Sequence, residues 1–213
     1  MSTEMRKVFV VGGDMSTTNL FTTRGWANVS NVSSADLVCF TGGADVSPDL
    51  YDHPKHYTTW SDPSRDAREM AIFEAASGKG TPMVGICRGG QFLNVMNGGK
   101  MYQDVSGHTM SHKMKIGNPE VPDDIIIVTS THHQMMMPAI GAKLLAVGSP
   151  STVNYWDDEK ECWEEKMLSH GIEVLQYGKS LCFQPHPEMR MDSAEFDPMR
   201  KYFFACINSL MAV

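Results

Sequence analysis

The stretch TPMVGICRGGQFLNVMNGG (residues 81–99) changes character half-way. PMVGIC is a short continuous apolar run of strand type. RGGQFLNVMNGG reads as a helix stopped by Gly98-Gly99. At the junction a cysteine, Cys87, stands in GICRG. Taken alone it can be a small buried hydrophobe, a metal ligand, a redox thiol or a nucleophile, and its surroundings decide which.

The same strand-then-glycine shape recurs upstream. KVFVVGG (residues 7–13) and ADLVCFTGG (residues 35–43) are apolar runs ending in glycine turns. Between the second of these and residue 81, SDPSRDAREMAIFEAASGKG is helical. Asp62 or Ser64 can cap it, Ala67, Met70, Ala71, Phe73 and Glu74 follow helical spacing, and Gly78 and Gly80 stop it. This β–α–β alternation predicts an α/β fold, with a doubly wound, mostly parallel central sheet flanked by helices. In such sheets ligand sites gather beyond the carboxyl ends of the strands, where both glycine turns and Cys87 fall.

Downstream, IIIVTSTHHQ (residues 125–134) is a strand running into a polar turn, and KLLAVGS (residues 143–149) is another strand. GIEVLQYGKSLCFQPHPE (residues 171–188) is a hairpin turning at Gly178-Lys179, a short antiparallel addition to the sheet. PSTVNYWDDEKECWEEKMLSH (residues 150–170) is acidic, carries two tryptophans and reads as an insertion, helical or loop. No linker divides the chain, so residues 1–213 are expected to form one domain.

Composition narrows the function. A chain of 213 residues can bury about 70% of its unfolded surface and needs no disulfide or metal staple to fold. Eighteen Lys and Arg against twenty-five Asp and Glu give a net charge of −7 with no basic cluster, which argues against nucleic acid as a partner. Five cysteines without a CxxC pair argue against a disulfide framework or zinc ribbon. MSTEMRKVFVVGGD holds no signal-peptide core, and no stretch approaches the ~20 apolar residues of a membrane span. A reducing cytoplasm is the expected location. The seventeen methionines, Met135-Met136-Met137 among them, are read as adaptable core filler.

A G-x-[Ser/Cys]-x-G turn between strand and helix is a nucleophile elbow, which lifts the side chain clear of the sheet edge. It also sets the sulfur near a helix N-terminus, whose unpaired N–H groups favour thiolate. The N–H of Arg88 can face an oxyanion. HPE supplies a base: His186 and Glu188, two apart on extended chain, project to the same side. Glu188 can then fix the tautomer of His186 while the imidazole faces Cys87.

These segments together resemble the class I glutamine amidotransferases, most closely their γ-glutamyl hydrolase (peptidase C26) branch. TGGADVSPDLY (residues 41–51) is similar to that branch's PGGxDVxPxxY loop, and SRDAREMAIFEAA to its RDxxE helix. GICRGGQFLNVMNGGKMYQDV is similar to its elbow, VTSTHHQ to its NSxHHQ segment and FQPHPE to its QxHPE. The resemblance implies Cys87 as nucleophile, His186 as general base and acid, and Glu188 as orienter. It implies the N–H groups of Gly43 and Arg88 as oxyanion hole, and Gly42, Gln91, Thr131, His132 and His133 as substrate-binding. The chain departs from the pattern at Thr41, where the family has proline, at Pro185, where it has a bulky aromatic, and at Gly90, where it has a bulky residue.

The expected reaction is hydrolysis of a γ-glutamyl amide through a glutamyl thioester, with no metal or organic cofactor. The alternatives are a glutaminase subunit delivering ammonia to a separate synthetase chain, or an inactive binding scaffold. A homodimer is compatible with either. Other signals are weaker. His108 and His112 could ligate a metal together if helical, but their segment offers no third ligand, and they read as surface or pocket-rim histidines. His132 and His133, as neighbours on extended chain, face opposite ways and cannot share an ion. VVGGDMSTTN lacks the lysine and spacing of a phosphate loop. The acidic insertion reads as solvated, and Cys39, Cys162, Cys182 and Cys206 as core or incidental.

Overall fold

The computed structural model describes residues 5–117 and 124–212. Its strands are β1 (Lys7–Val10), β2 (Ala27–Asn28), β3 (Leu37–Phe40), β4 (Met83–Ile86), β5 (Lys100–Tyr102), β6 (Asp104–Val105) and β7 (His112–Ile116). Then follow β8 (Ile125–Val128), β9 (Met135–Met137), β10 (Lys143–Val147), β11 (Ser151–Asp157), β12 (Cys162–Leu168), β13 (Ile172–Tyr177) and β14 (Ser180–Phe183). Four α-helices accompany them among the described residues: α1 (Met15–Thr22), α2 (Pro63–Lys79), α3 (Arg88–Met96) and α4 (Asp197–Met211). None of them is long and apolar enough to cross a membrane.

Nine strands form the main sheet in the order β2-β1-β3-β4-β14-β13-β10-β7-β8. From β2 to β14 every pairing is parallel, and from β14 to β8 every pairing is antiparallel. The α/β class holds, while the antiparallel portion is larger than the short addition expected. Of the parallel strands, β3, β4 and β14 are buried at every position. Leu37 and Cys39 point into a core with α1 and α4, through Leu20, Phe21, Phe203 and Ile207. Val38 and Phe40 point into a second core with α2 and α3, through Ala76, Phe92 and Leu93. That two-sided burial is why these strands read as continuous apolar runs rather than alternating ones.

Local signals set the boundaries. The Asp62 carboxylate accepts from the Arg65 N–H at 3.0 Å, so of the two candidate caps it is Asp62 that starts α2. Gly80, at φ 70°, ends it, and Gly78 lies inside the helix. The expected hairpin is β13–β14, turning at Gly178-Lys179.

The insertion is neither helix nor loop. Residues 151–168 form a β-hairpin, β11 paired with β12 over seven residues, and β11 also pairs with β6. Its acidic residues hid a strand pattern in which Val153 is fully buried and Trp156 faces Trp163 across the ladder at 5.7 Å between ring centroids. The hairpin is docked rather than merely solvated: Trp163 packs on His56 at 4.6 Å, and Asp158 pairs with Lys100 at 2.5 Å.

Glycines hold α3 directly on the sheet. A Cβ on Gly89 would fall 2.2 Å from the Phe40 carbonyl oxygen, and one on Gly85 2.1 Å from the Gly89 oxygen. Gly89→Ala therefore has to lift α3 off β3. The expected cost is about 1–3 kcal/mol, the usual range for overpacking, read as a lower urea midpoint at unchanged m-value.

Candidate active site

β4 ends at Ile86 and α3 begins at Arg88, so a single residue makes the turn. Cys87 occupies it at φ 51° and ψ −113°, a left-handed conformation costly for a residue with a Cβ. Its N–H donates to the Phe183 carbonyl at 2.8 Å, which ties the elbow to β14. The neighbouring glycines permit this: besides Gly85 and Gly89, a Cβ on Gly90 would lie 2.9 Å from the Phe183 nitrogen. The missing bulky residue at position 90 thus reflects close backbone approach in this chain.

β14 delivers the base. Beyond Phe183, the His186 backbone is clamped by Thr129, whose hydroxyl donates to the His186 carbonyl at 2.7 Å and lies 3.2 Å from its N–H. His186 Nδ1 is 2.6 Å from Glu188 Oε1, and its Nε2 is 3.0 Å from the Thr131 hydroxyl. With Nδ1 engaged by Glu188, Nε2 is the nitrogen that faces the Thr131 hydroxyl, and the ring and Cys87 line the same cavity. Burial pushes the imidazole down, but Cys87 and then Glu188 outweigh it and raise its pKa to about 10. Since the folded value exceeds the unfolded one near 6.5, the linked stability is fully present below about pH 6.5 and is lost as pH rises toward 10. The urea midpoint is expected to fall across that window, with a flatter profile in Cys87→Ala, which lacks the partner that raises the imidazole most.

The loop after β3 faces the elbow. A Cβ on Gly42 would lie 3.2 Å from His186 Cε1 and 3.8 Å from Cys87 Cβ, so Gly42 sits against both. Gly43, at φ 138°, leaves room for the Arg65 guanidinium: a Cβ there would meet Nη1 at 2.2 Å. Arg65 donates to the carbonyls of Thr41 and Gly42, both at 2.9 Å, and to Glu69 at 2.7 Å. The buried Arg88 side chain reaches back to Asp66 and Glu69 on the same helix, α2. Burial pushes the Arg88 guanidinium down to about 10, so it remains cationic at neutral pH. One ionic network thereby positions the Gly43 loop and the first turn of α3, where the Arg88 N–H belongs to the donors without an intrahelical partner.

A cavity of about 380 Å³ opens over the elbow, lined by Cys87, Arg88, Gly43, Gln91, Thr131, His132, His133 and His186. Of the nominated residues only Gly42 and Glu188 fall outside its wall, and both line an adjoining cavity of about 270 Å³.

The Peptidase C26 family model matches residues 27–149, which hold the elbow and end before His186. The glutamine amidotransferase-like protein YvdE of Lactococcus lactis subsp. lactis is 32% identical over 185 residues, 80% of this chain and 73% of that protein. The chain belongs to the peptidase C26 family. The gamma-glutamyl-gamma-aminobutyrate hydrolase PuuD of Escherichia coli is 27% identical over 180 residues, 75% of this chain and 65% of that protein. A glutamine amidotransferase from Thermotoga maritima shares the fold, with a TM-score of 0.61 at 16% identity, covering 98% of this chain and 85% of that one. Family and relatives support an amidohydrolase or amidotransferase function.

Within this peptidase C26 site the remaining residues divide by what they touch. Gln91 is buried, and its amide nitrogen donates to the Gln134 carbonyl at 3.1 Å and to Gln184 Oε1 at 3.2 Å. His132 and His133 diverge as expected. His132 is buried, burial pushes its pKa down to about 4, and its Nδ1–H donates to the Gln134 carbonyl at 2.8 Å. His133, which lines the cavity as His132 does, stands 3.2 Å from Asp45, which raises its pKa.

Sequence reading missed Gln184, Thr129 and the role of Arg65. Gln184 Nε2 lies 3.5 Å from Cys87 Sγ. Its place two residues before His186 on extended chain was the available signal. The reading of His108 and His112 needs correction. His108 is fully buried, and a third group reaches both histidines: Glu173, from β13. Burial alone would raise the Glu173 carboxyl, but the neighbouring His108 and His112 bring it down to about 2.

Proposed function

We propose that the protein hydrolyses a γ-glutamyl amide by covalent catalysis at Cys87. The Cys87 thiolate adds to the γ-carbonyl carbon, and the oxyanion is received by the N–H groups of Gly43 and Arg88. The C–N bond then breaks as His186 passes its Nε2 proton to the leaving nitrogen, giving ammonia or an amine and a glutamyl thioester. A water molecule, deprotonated by His186, attacks the thioester, and the sulfur leaves as thiolate. Glu188 keeps Nδ1–H in place so that Nε2 does the proton transfers. The observation that carries this reading is the Glu188–His186 contact beside a cysteine held at positive φ, with Gly42 packed against both the ring and Cys87. The substrate-binding roles of Gly42, Gln91, Thr131, His132 and His133 belong to the same proposal.

A glutamine-mimicking electrophile is expected to label Cys87 stoichiometrically, with the adduct mapped by peptide mass spectrometry. A folded protein that takes up no label at Cys87 would favour the binding-scaffold alternative.

An ammonia-donating subunit is the second reading. It draws support from Trp60, which lines the cavity opening while staying 73% exposed. Turnover measured with and without candidate synthetase chains separates the two. A free hydrolase keeps its rate, whereas a subunit is strongly stimulated by one partner.

A further inference from the structure

Behind the cavity wall, three groups from separate segments converge. His108 precedes β7, His112 opens it, and Glu173 lies on the neighbouring antiparallel part of the sheet, in β13. His112 Nε2 is 2.8 Å and His108 Nδ1 is 3.2 Å from the same oxygen, Glu173 Oε1. The potential ligand atoms all lie within 4.8 Å of one another. His108 and Glu173 are wholly inaccessible, while the His112 side chain keeps 9% exposure and marks the approach from solvent.

The far nitrogens of both rings are already committed. His112 Nδ1 faces the Met110 carbonyl at 3.2 Å, and because a carbonyl only accepts, Nδ1 carries the hydrogen. His108 Nε2 lies 2.5 Å from the Ser151 hydroxyl, which itself donates to the Ser149 carbonyl at 3.2 Å, so Nε2 also carries a hydrogen. In the neutral rings, then, the two remaining nitrogens turn lone pairs toward a buried carboxylate. Something positive has to lie between them. A proton on His112 answers one contact only. It leaves His108 Nδ1 and Glu173 Oε2, both buried, without a hydrogen-bond partner among the described residues.

We propose that His108, His112 and Glu173 bind a divalent transition-metal ion, with Zn²⁺ as the natural probe. Two neutral imidazoles and one carboxylate suit such an ion, whereas Mg²⁺ and Ca²⁺ prefer all-oxygen shells. The Met110 carbonyl and the Ser151 hydroxyl are the outer partners that orient ligating imidazoles. An ion about 2 Å from each ligand needs His112 and Glu173 to part by a few tenths of an ångström. Next to the site, His132 Nε2 is likewise buried and unpartnered, and its ring centroid is 4.8 Å from that of His108. His132 is therefore the bridge between this site and the cavity, and the ion's role is structural: it fastens β7 to β13 behind that wall. The site stands independently of the reaction proposed for Cys87.

The test uses the full chain carrying Cys87→Ala, so that the elbow thiol cannot compete for metal. Chelator-stripped protein is titrated with Zn²⁺ by calorimetry, and thermal unfolding is followed with and without the ion. The expected result is one tight equivalent that raises the melting temperature and is lost in His112→Ala and Glu173→Gln. Ser151→Ala, which removes an outer partner alone, is expected to weaken binding by about 10–100-fold. Should the buried Glu173 variant fail to fold, His112→Ala and Ser151→Ala carry the decision. Absence of uptake by the folded parent overturns the proposal. So does uptake that neither His112→Ala nor Ser151→Ala weakens.

Discussion

Cys87→Ala is expected to lower kcat for a γ-glutamyl amide by about 10⁴-fold or more, the scale on which nucleophiles of this type are lost. The reason is that the rest of the site has no second nucleophile to offer. Thr131 is tied to His186 Nε2, and Gln184 donates an amide N–H toward the sulfur. The fold is expected to survive, since the substitution removes one atom from an elbow held by glycine contacts and by the 2.8 Å bond from N–H 87 to Phe183. His186→Asn should bring a loss of similar order. The double variant should be little worse than either single one, because the two act as a unit. Ammonia or amine release, followed for wild type and the three variants across a panel of γ-glutamyl compounds, checks both statements. Retention of hydrolysis by Cys87→Ala within about tenfold of wild type would remove the covalent mechanism.

The largest expected loss of stability follows Arg88→Met. The Arg88 guanidinium is buried against Asp66 and Glu69, themselves almost wholly buried on α2. Removing the cation leaves two carboxylates in the interior, and breaking a buried pair in this one-sided way costs about 3–5 kcal/mol. Adding Asp66→Asn and Glu69→Gln neutralises the stranded charges and is expected to recover much of the loss, read from urea midpoints of the single and triple variants. Recovery stays partial, because Glu69 also holds Arg65 and Arg65 holds the carbonyls of Thr41 and Gly42. For that reason the triple variant is expected to regain stability without regaining full turnover. A misplaced oxyanion donor costs about 3–4 kcal/mol of barrier. Equal recovery of both would show that the network serves folding alone.

Some of this molecule was legible in the order of its residues. The elbow, the α2 boundaries and the β13–β14 turn rest on local chemistry: Asp62 as a cap, Gly80 at positive φ, and glycines on either side of Cys87. The His186–Glu188 contact was equally local, although the chain turns there, with the Met189 N–H donating to the His186 carbonyl at 3.2 Å, rather than running extended. β3 and β4 announced themselves because burial on both faces leaves no polar positions, whereas the edge strand β2 gave no such signal.

What the residue order could not decide were partners brought from a distance. The acidic hairpin of residues 151–168 is a strand pair because β6 and the loop holding His56 give it something to pack on. Its own composition reads as helix or loop. Glu173 reads as an ordinary strand residue until the antiparallel order β13-β10-β7 carries it to His108 and His112. The partners of Arg65 and Arg88 are fixed by helix packing, which sets Asp66, Glu69 and two loop carbonyls against the two guanidinium groups. Local propensity is set by a few bonds along the chain. The charge a side chain meets is set by which segments exclude water around it, and that is a property of the folded chain alone.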